Sequence, residues 1–159
     1  MTLIVIAAIA IMALLAWISY KSKQQLREKG LIITREAKFY QKKQIIRTTA
    51  SFEDIAKKLK EADLNQAGAS AKYGVGDNKA ILFDSQQFKW TAILEQTEQS
   101  DKNIFEFAFT KWQTQNGMVV SADSMNVLLT YIEKAFLALD QTTTIESQAQ
   151  QIKSKTSFF

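Results

Sequence analysis

Histidine and cysteine are both absent from the 159 residues, and the two absences remove whole classes of chemistry. Without an imidazole or a thiol the chain cannot assemble a Ser-His-Asp or Cys-His nucleophile, a thiolate or imidazole zinc site, or a redox pair. No metal or other cofactor is expected, and catalysis is left to carboxylates, Lys, Tyr or Ser. The missing cysteine agrees with a reducing compartment but discriminates weakly, because many exported proteins also lack disulfides.

Charge is missing from one long stretch. Leu3 to Tyr20 (LIVIAAIAIMALLAWISY) is eighteen residues without a charged side chain. At about 1.5 Å of rise per residue, a helix of this length is close to the thickness of a bilayer's hydrocarbon core. Residues 1–20 are therefore read as a single transmembrane anchor, its helix running on as far as residue 29 until Gly30 stops it. A cleaved secretory signal would need a positive n-region and small residues at the cleavage site. Met1 and Thr2 carry no charge, and Trp17 and Tyr20 stand where small residues would be required. A buried helix of a soluble fold would need a polar face, which the run lacks.

Trp17 and Tyr20 suit the water-lipid boundary, and Lys21, Lys23, Arg27 and Lys29 follow directly. Lys and Arg beside a span stay in the cytoplasm. The expected location is the cell membrane, single-pass, with the N-terminus outside and the bulk of the chain cytoplasmic. From Lys21 to Arg47 nine basic residues face two acidic ones, a net of +7, while the rest of the chain carries −3. This basic stem, residues 21–43, would be drawn to anionic headgroups, so the lipid bilayer is the first expected partner. Nucleic acid is not expected: Phe39 and Tyr40 are the only aromatics in the stem, and the domain beyond is mildly acidic.

Residues 44–147 read as a cytoplasmic α+β domain. Gln44 to Ala50 is rich in β-branched residues and predicts a strand. Ser51, with Asp54 three residues on, opens an amphipathic helix to about Asp63, ended by Asn65-Gln66-Ala67-Gly68. Ala69 to Val75 and Lys79 to Ser85 predict a hairpin turning at Gly76-Asp77-Asn78. In Phe88 to Gln96, Phe88, Trp90, Ala92 and Leu94 share a face; in Ile104 to Gln113, Phe105, Phe107 and Phe109 do. These phenylalanines are the expected centre of the core. Asn116-Gly117 marks a tight turn. Ser121 is placed to cap a second helix, Ala122 to Asp140, whose apolar side is Met125, Leu128, Leu129, Ile132, Phe136 and Leu139. Gln141 to Ser147 predicts an edge strand, and 148–159 a polar, flexible tail. The expected fold is α+β: an N-terminal transmembrane helix, then a small domain with an antiparallel sheet of about four to six strands and two amphipathic helices packed on one face.

Candidate sites are few. Asp77 with Asp84, or Glu95 with Glu106 if their strands pair, are the carboxylate couples, although surface carboxylates mostly solubilise. Tyr73 to Lys79 holds two glycines and a lysine, but its spacing fits neither a Walker loop nor a dinucleotide loop. Trp112 falls opposite the phenylalanine face and is either a contact for a protein partner or covered by the stem or a neighbouring loop. The terminal Phe158-Phe159 pair is read as a frayed end. No enzyme is expected. The chain reads as a membrane-anchored cytoplasmic domain that serves as a noncatalytic protein-interaction or scaffolding module. The alternative is a small-molecule or lipid-binding domain with a cavity between the sheet and the C-terminal helix.

Overall fold

The computed structural model describes residues 2–74, 79–99 and 101–150. The backbone divides into two compact units, Met1–Thr34 and Arg35–Phe159. The first is a helix, α1, spanning Thr2–Glu28. It ends as the sequence requires: Gly30 adopts a left-handed φ of 62°. Its N–H bonds the carbonyl of Arg27 at 2.8 Å while the Leu31 N–H reaches back to Leu26 at 2.8 Å. These paired bonds satisfy carbonyls that the last turn would otherwise leave open. The stretch Val5–Glu28 is long and apolar enough to cross a membrane, and none of it is buried.

The second unit is a two-layer α+β domain. Its elements are β1 (Lys42–Thr48), α2 (Phe52–Lys60), β2 (Ser70–Tyr73), β3 (Ala80–Ser85), β4 (Trp90–Gln99), β5 (Asn103–Lys111), β6 (Thr114–Gln115), β7 (Met118–Val119), α3 (Ala122–Leu139) and β8 (Thr144–Ala149), with short 3-10 turns at Phe39–Gln41 and Leu64–Ala67. Six strands form one antiparallel sheet in the order β2-β3-β4-β5-β1-β8, and β6 and β7 make a separate ribbon. Phe105, Phe107 and Phe109 point to one side and are at most 1% exposed. Phe52 of α2 stacks on Phe105, and Phe136 of α3 meets Phe105 edge to face at 5.0 Å, so both helices cover the same face.

Polar links fix the layers. The Trp90 indole N–H donates to Ser124 Oγ at 2.9 Å, and Ser124 donates to the Ala67 carbonyl at 2.6 Å. A sheet strand, α3 and a 3-10 turn are thereby joined through one buried hydroxyl. Gly68 follows with φ +57°; a Cβ there would lie 2.5 Å from Phe88 Cε2. At the other end, Asp140 accepts from Thr142, Thr49 and Thr48 side chains and from the backbone N–H groups of Thr49 and Thr142. The Thr142 hydroxyl first, then these amides and Thr49, hold its carboxyl far below the usual range.

Several boundaries move, each for a local reason. The compact domain begins at Arg35, nine residues before Gln44, because Phe39 and Tyr40 are buried in it. The first helix of the domain stops at Lys60 and not Asp63, since Asp63 turns to cap the following 3-10 turn by accepting from the Asn65 N–H. Ser51 caps as expected, accepting from the Asp54 N–H, and its hydroxyl also donates to the Asp54 carboxylate. Ser121 stands at the N-cap of α3 but gives its hydroxyl to the Phe88 carbonyl instead. Leu139, the last residue of α3, is 42% exposed and lies off the buried stripe. The edge strand runs to Ala149, two residues into the expected tail, because Lys42 and Lys43 extend β1 and give it partners. The turn Gly76-Asp77-Asn78 and residues 151–159, with Phe158-Phe159, lie outside the described residues.

Two outcomes follow. Gly68→Ala should destabilise the domain by about 2 kcal/mol, a fall of several degrees in the thermal midpoint, because it adds strain at positive φ to a clash with Phe88. Asp140→Asn should lower the midpoint near neutral pH. The wild-type advantage is present above the unfolded carboxyl pKa of about 3.9 and fades as pH falls from there toward the depressed folded value, so the two melting curves should converge at strongly acidic pH.

Candidate functional site

Helical spacing gathers the boundary residues of α1. Trp17, Tyr20 and Lys21 stand at i, i+3 and i+4, and the Lys21 ammonium lies 5.2 Å from the Trp17 ring centre. Trp17 is 58% and Tyr20 67% exposed, so both rings are available to a surrounding medium. Lys23 and Arg27 lie on the helix, while Lys29 falls just past its end at Glu28. A helix of 27 residues is about 40 Å long, which leaves its charged last turns beyond a hydrocarbon core of about 30 Å.

The remainder of the basic stem has a different role from the one its charge suggests. Arg35 is clamped on α3: its guanidinium takes Glu133 in a bidentate pair, both bonds 2.8 Å, and Nε donates to Asn126 Oδ1 at 2.8 Å. Asn126, Thr130 and Glu133 are successive turns of one helical face, and Nη2 also reaches Thr130 at 3.3 Å. The side chains of Arg35 and Glu133 are only 11% and 16% exposed. Lys42 pairs with Glu36, Lys43 with Glu106 and Arg47 with Glu146. Four of the nine cations between Lys21 and Arg47 are thus held by carboxylates.

Trp112 lies one residue past β5, half-buried, its ring edge-on to Tyr40 at 5.3 Å. Tyr40 meets Phe39, Phe39 meets Phe109, and Phe109 meets Trp90. A continuous stair of edge-to-face rings therefore runs from the core to Trp112, each step worth about 1 kcal/mol beyond burial. The stem's own Tyr40 supplies the cover. Arg35, Phe39 and Tyr40 carried no periodic signal in the sequence, because Lys38 breaks the local pattern with a left-handed φ of 63°.

The face of the sheet away from the helices is open. Leu82, Ile93 and Ala108 oppose one another across β3, β4 and β5, all half-buried. Beside them Glu95 and Glu106 are register partners, so the pairing that the candidate couple required is present. Lys43 holds both oxygens of Glu106 at 3.0–3.1 Å, however, so that member of the couple is taken up in an ion pair. Asp77 lies outside the described residues, and Asp84 accepts from Gln86. The elements on either side of the glycine loop, β2 and β3, pair as antiparallel strands; residues 75–78 lie outside the described residues. Among the described residues no group of three or more Asp or Glu is placed to hold a metal.

A cleft of about 280 Å³ opens between the end of α2 and β2, lined by Leu59, Asp63, Leu64, Asn65 and Tyr73 among others. The Lys60 ammonium sits 4.8 Å from the Tyr73 ring, and burial pushes the Tyr73 hydroxyl pKa up. Where a cavity under α3 would lie, Phe136 rests on Phe105.

The geometry defines a two-layer α+β domain that follows a helix able to span a membrane. No protein-family model, no curated protein and no solved structure matches the chain.

The Arg35 clamp makes a quantitative prediction. Arg35→Ala should cost about 3 kcal/mol by leaving Glu133 buried without its partner. Adding Glu133→Ala should recover part of that loss, and a double-mutant cycle in denaturant reads the coupling directly.

Proposed function

We propose that the chain is a single-pass membrane protein whose cytoplasmic α+β domain is a noncatalytic interaction module, holding a protein partner at the bilayer. The observation that carries this reading is α1: its apolar side chains, from Val5 at 56% to Leu15 at 60% exposed, need a nonpolar medium that the described protein does not supply. Lys21, Lys23, Arg27 and Lys29 then put the domain on the cytoplasmic side.

The interaction reading draws support from the open face of the sheet. Lys43–Glu106 and Arg47–Glu146 neutralise one another on its β1 side, and the row Leu82, Ile93, Ala108 presents an apolar strip with Lys72, the register partner of Leu82, at its far end. A partner with an apolar helix or strand face fits that strip. The weaker reading, a ligand cavity between sheet and α3, is disfavoured by the direct contact of Phe136 with Phe105.

Two experiments test the two halves. Ala10→Arg with Leu14→Arg places two charges in mid-span, each costing about 3 kcal/mol of insertion, and should release into carbonate a chain that otherwise stays with the membrane. For the partner, cross-linking of the full chain in its own membranes should yield an adduct that Ile93→Arg abolishes. An adduct indifferent to Ile93→Arg, or none above a mock control, contradicts the interaction surface.

A further inference from the structure

One end of the domain gathers several exposed features. The antiparallel register brings the start of β1 beside the end of β5, and the pairs Ser85↔Trp90 and Thr91↔Lys111 bring the β3–β4 turn to the same end. The Tyr40–Trp112 contact and the Ser121 bond to the Phe88 carbonyl tie the 3-10 turn and the entry to α3 into it. The chain enters the domain here, at Arg35. From here, too, projects the β6–β7 hairpin, turned by Asn116 and Gly117 with φ of 52° and 75°. These positive values make the tight two-residue turn whose twist suits a hairpin.

The hairpin carries the two most exposed large apolar side chains of the domain among the described residues, Met118 at 71% and Val120 at 57%. Around it Lys38, Lys89 and Lys111 are all exposed, against Asp84 and Asp123. Glu36, also at this end, is taken up by Lys42. The opposite end, where β4 meets β5 and α3 leads into β8, carries Glu98, Asp101 and Asp140 against Lys102. Charge is therefore segregated between the two ends, positive where the apolar tip projects.

We propose that this end docks on the anionic surface of the bilayer that holds α1, with the hairpin tip entering the headgroup region. The proposal rests on the anchored reading of α1. Only six residues separate Glu28, the end of α1, from Arg35, where the domain begins, so the tether keeps the chain's entry to the domain close to the lipid. Apolar side chains at a rigid turn, ringed by lysines, bind such an interface by burying the former and attracting its charge with the latter. Trp112 at the base of the hairpin and the Arg35 clamp make the mount stiff. Docking would fix the orientation of the domain and leave the open face of the sheet, which lies along and not at this end, free for a partner.

Because the chain has no cysteine, single substitutions give unique labelling sites. The full chain carrying Met118→Cys or, at the opposite end, Glu98→Cys is labelled with an environment-sensitive fluorophore and placed in phosphatidylcholine nanodiscs with and without phosphatidylserine. With phosphatidylserine, the label at 118 should shift to the blue, and spin-labelled lipid should quench it several-fold more than the label at 98. Replacing Lys38, Lys89 and Lys111 together by Gln should return the signal at 118 to its level without phosphatidylserine. Equal access of aqueous iodide to both labels, in chain that co-elutes with the discs, overturns the docking while the anchor stands. Chain that elutes apart from the discs overturns both.

Discussion

Phe105, Phe107 and Phe109 stand on one side of β5, and β5 is hydrogen-bonded on both flanks, to β4 and to β1. Every layer of the domain is built against these rings. Phe52 brings α2 onto Phe105, Phe136 brings α3 to the same ring, Phe83 and Trp90 close on Phe107 and Phe109, and Phe39 extends the contact into the segment that precedes β1. A row of large rings on the central strand needs cover along its whole length, which α2 and α3 provide together. α3 consequently buries more than one stripe: Ser124, Asn126 and Thr130 are buried beside its apolar residues. A polar group taken from water is costly unless bonded, and each of these has a partner, Ser124 in Trp90 and Ala67, Asn126 and Thr130 in Arg35.

The parts legible in the sequence were those whose partners are local. Alternation along β4 and β5, the Ser51 cap, the turn pair Asn116-Gly117 and the spacing of Met125, Leu128, Leu129, Ile132 and Phe136 all express geometry within a few residues. What stayed hidden depends on distance along the chain. Arg35 meets Asn126 and Glu133 across 91 and 98 residues, and nothing near Arg35 reports that. The stem read as a block of free positive charge because its carboxylate partners lie elsewhere: Lys43 finds Glu106 and Arg47 finds Glu146 only once β1 sits between β5 and β8. The burial of Phe39 and Tyr40 is hidden for a related reason, since a 3-10 turn of three residues has no period to detect. Trp112 is left open by alternation alone, and its partial cover comes from an aromatic before β1.

Charge therefore has two roles divided by position. Lys21, Lys23, Arg27 and Lys29 follow the apolar run at once, where the proposed function sets them against the lipid. Arg35, Lys42, Lys43 and Arg47 act through individual carboxylates and hold the entry of the chain to its own sheet. The functional reading follows from that division and from the side chains of α1, which no neighbour buries.

The most direct test of this account is a scan of single cysteines through residues 5–29 of the otherwise cysteine-free chain, probed in sealed cells and in inverted membrane vesicles with a maleimide that cannot cross the bilayer. The account predicts no labelling from Val5 to Ile18 in either preparation and labelling from Lys23 to Lys29 only in the inverted vesicles. Labelling throughout the apolar run, or of Lys23 to Lys29 from outside intact cells, would contradict it.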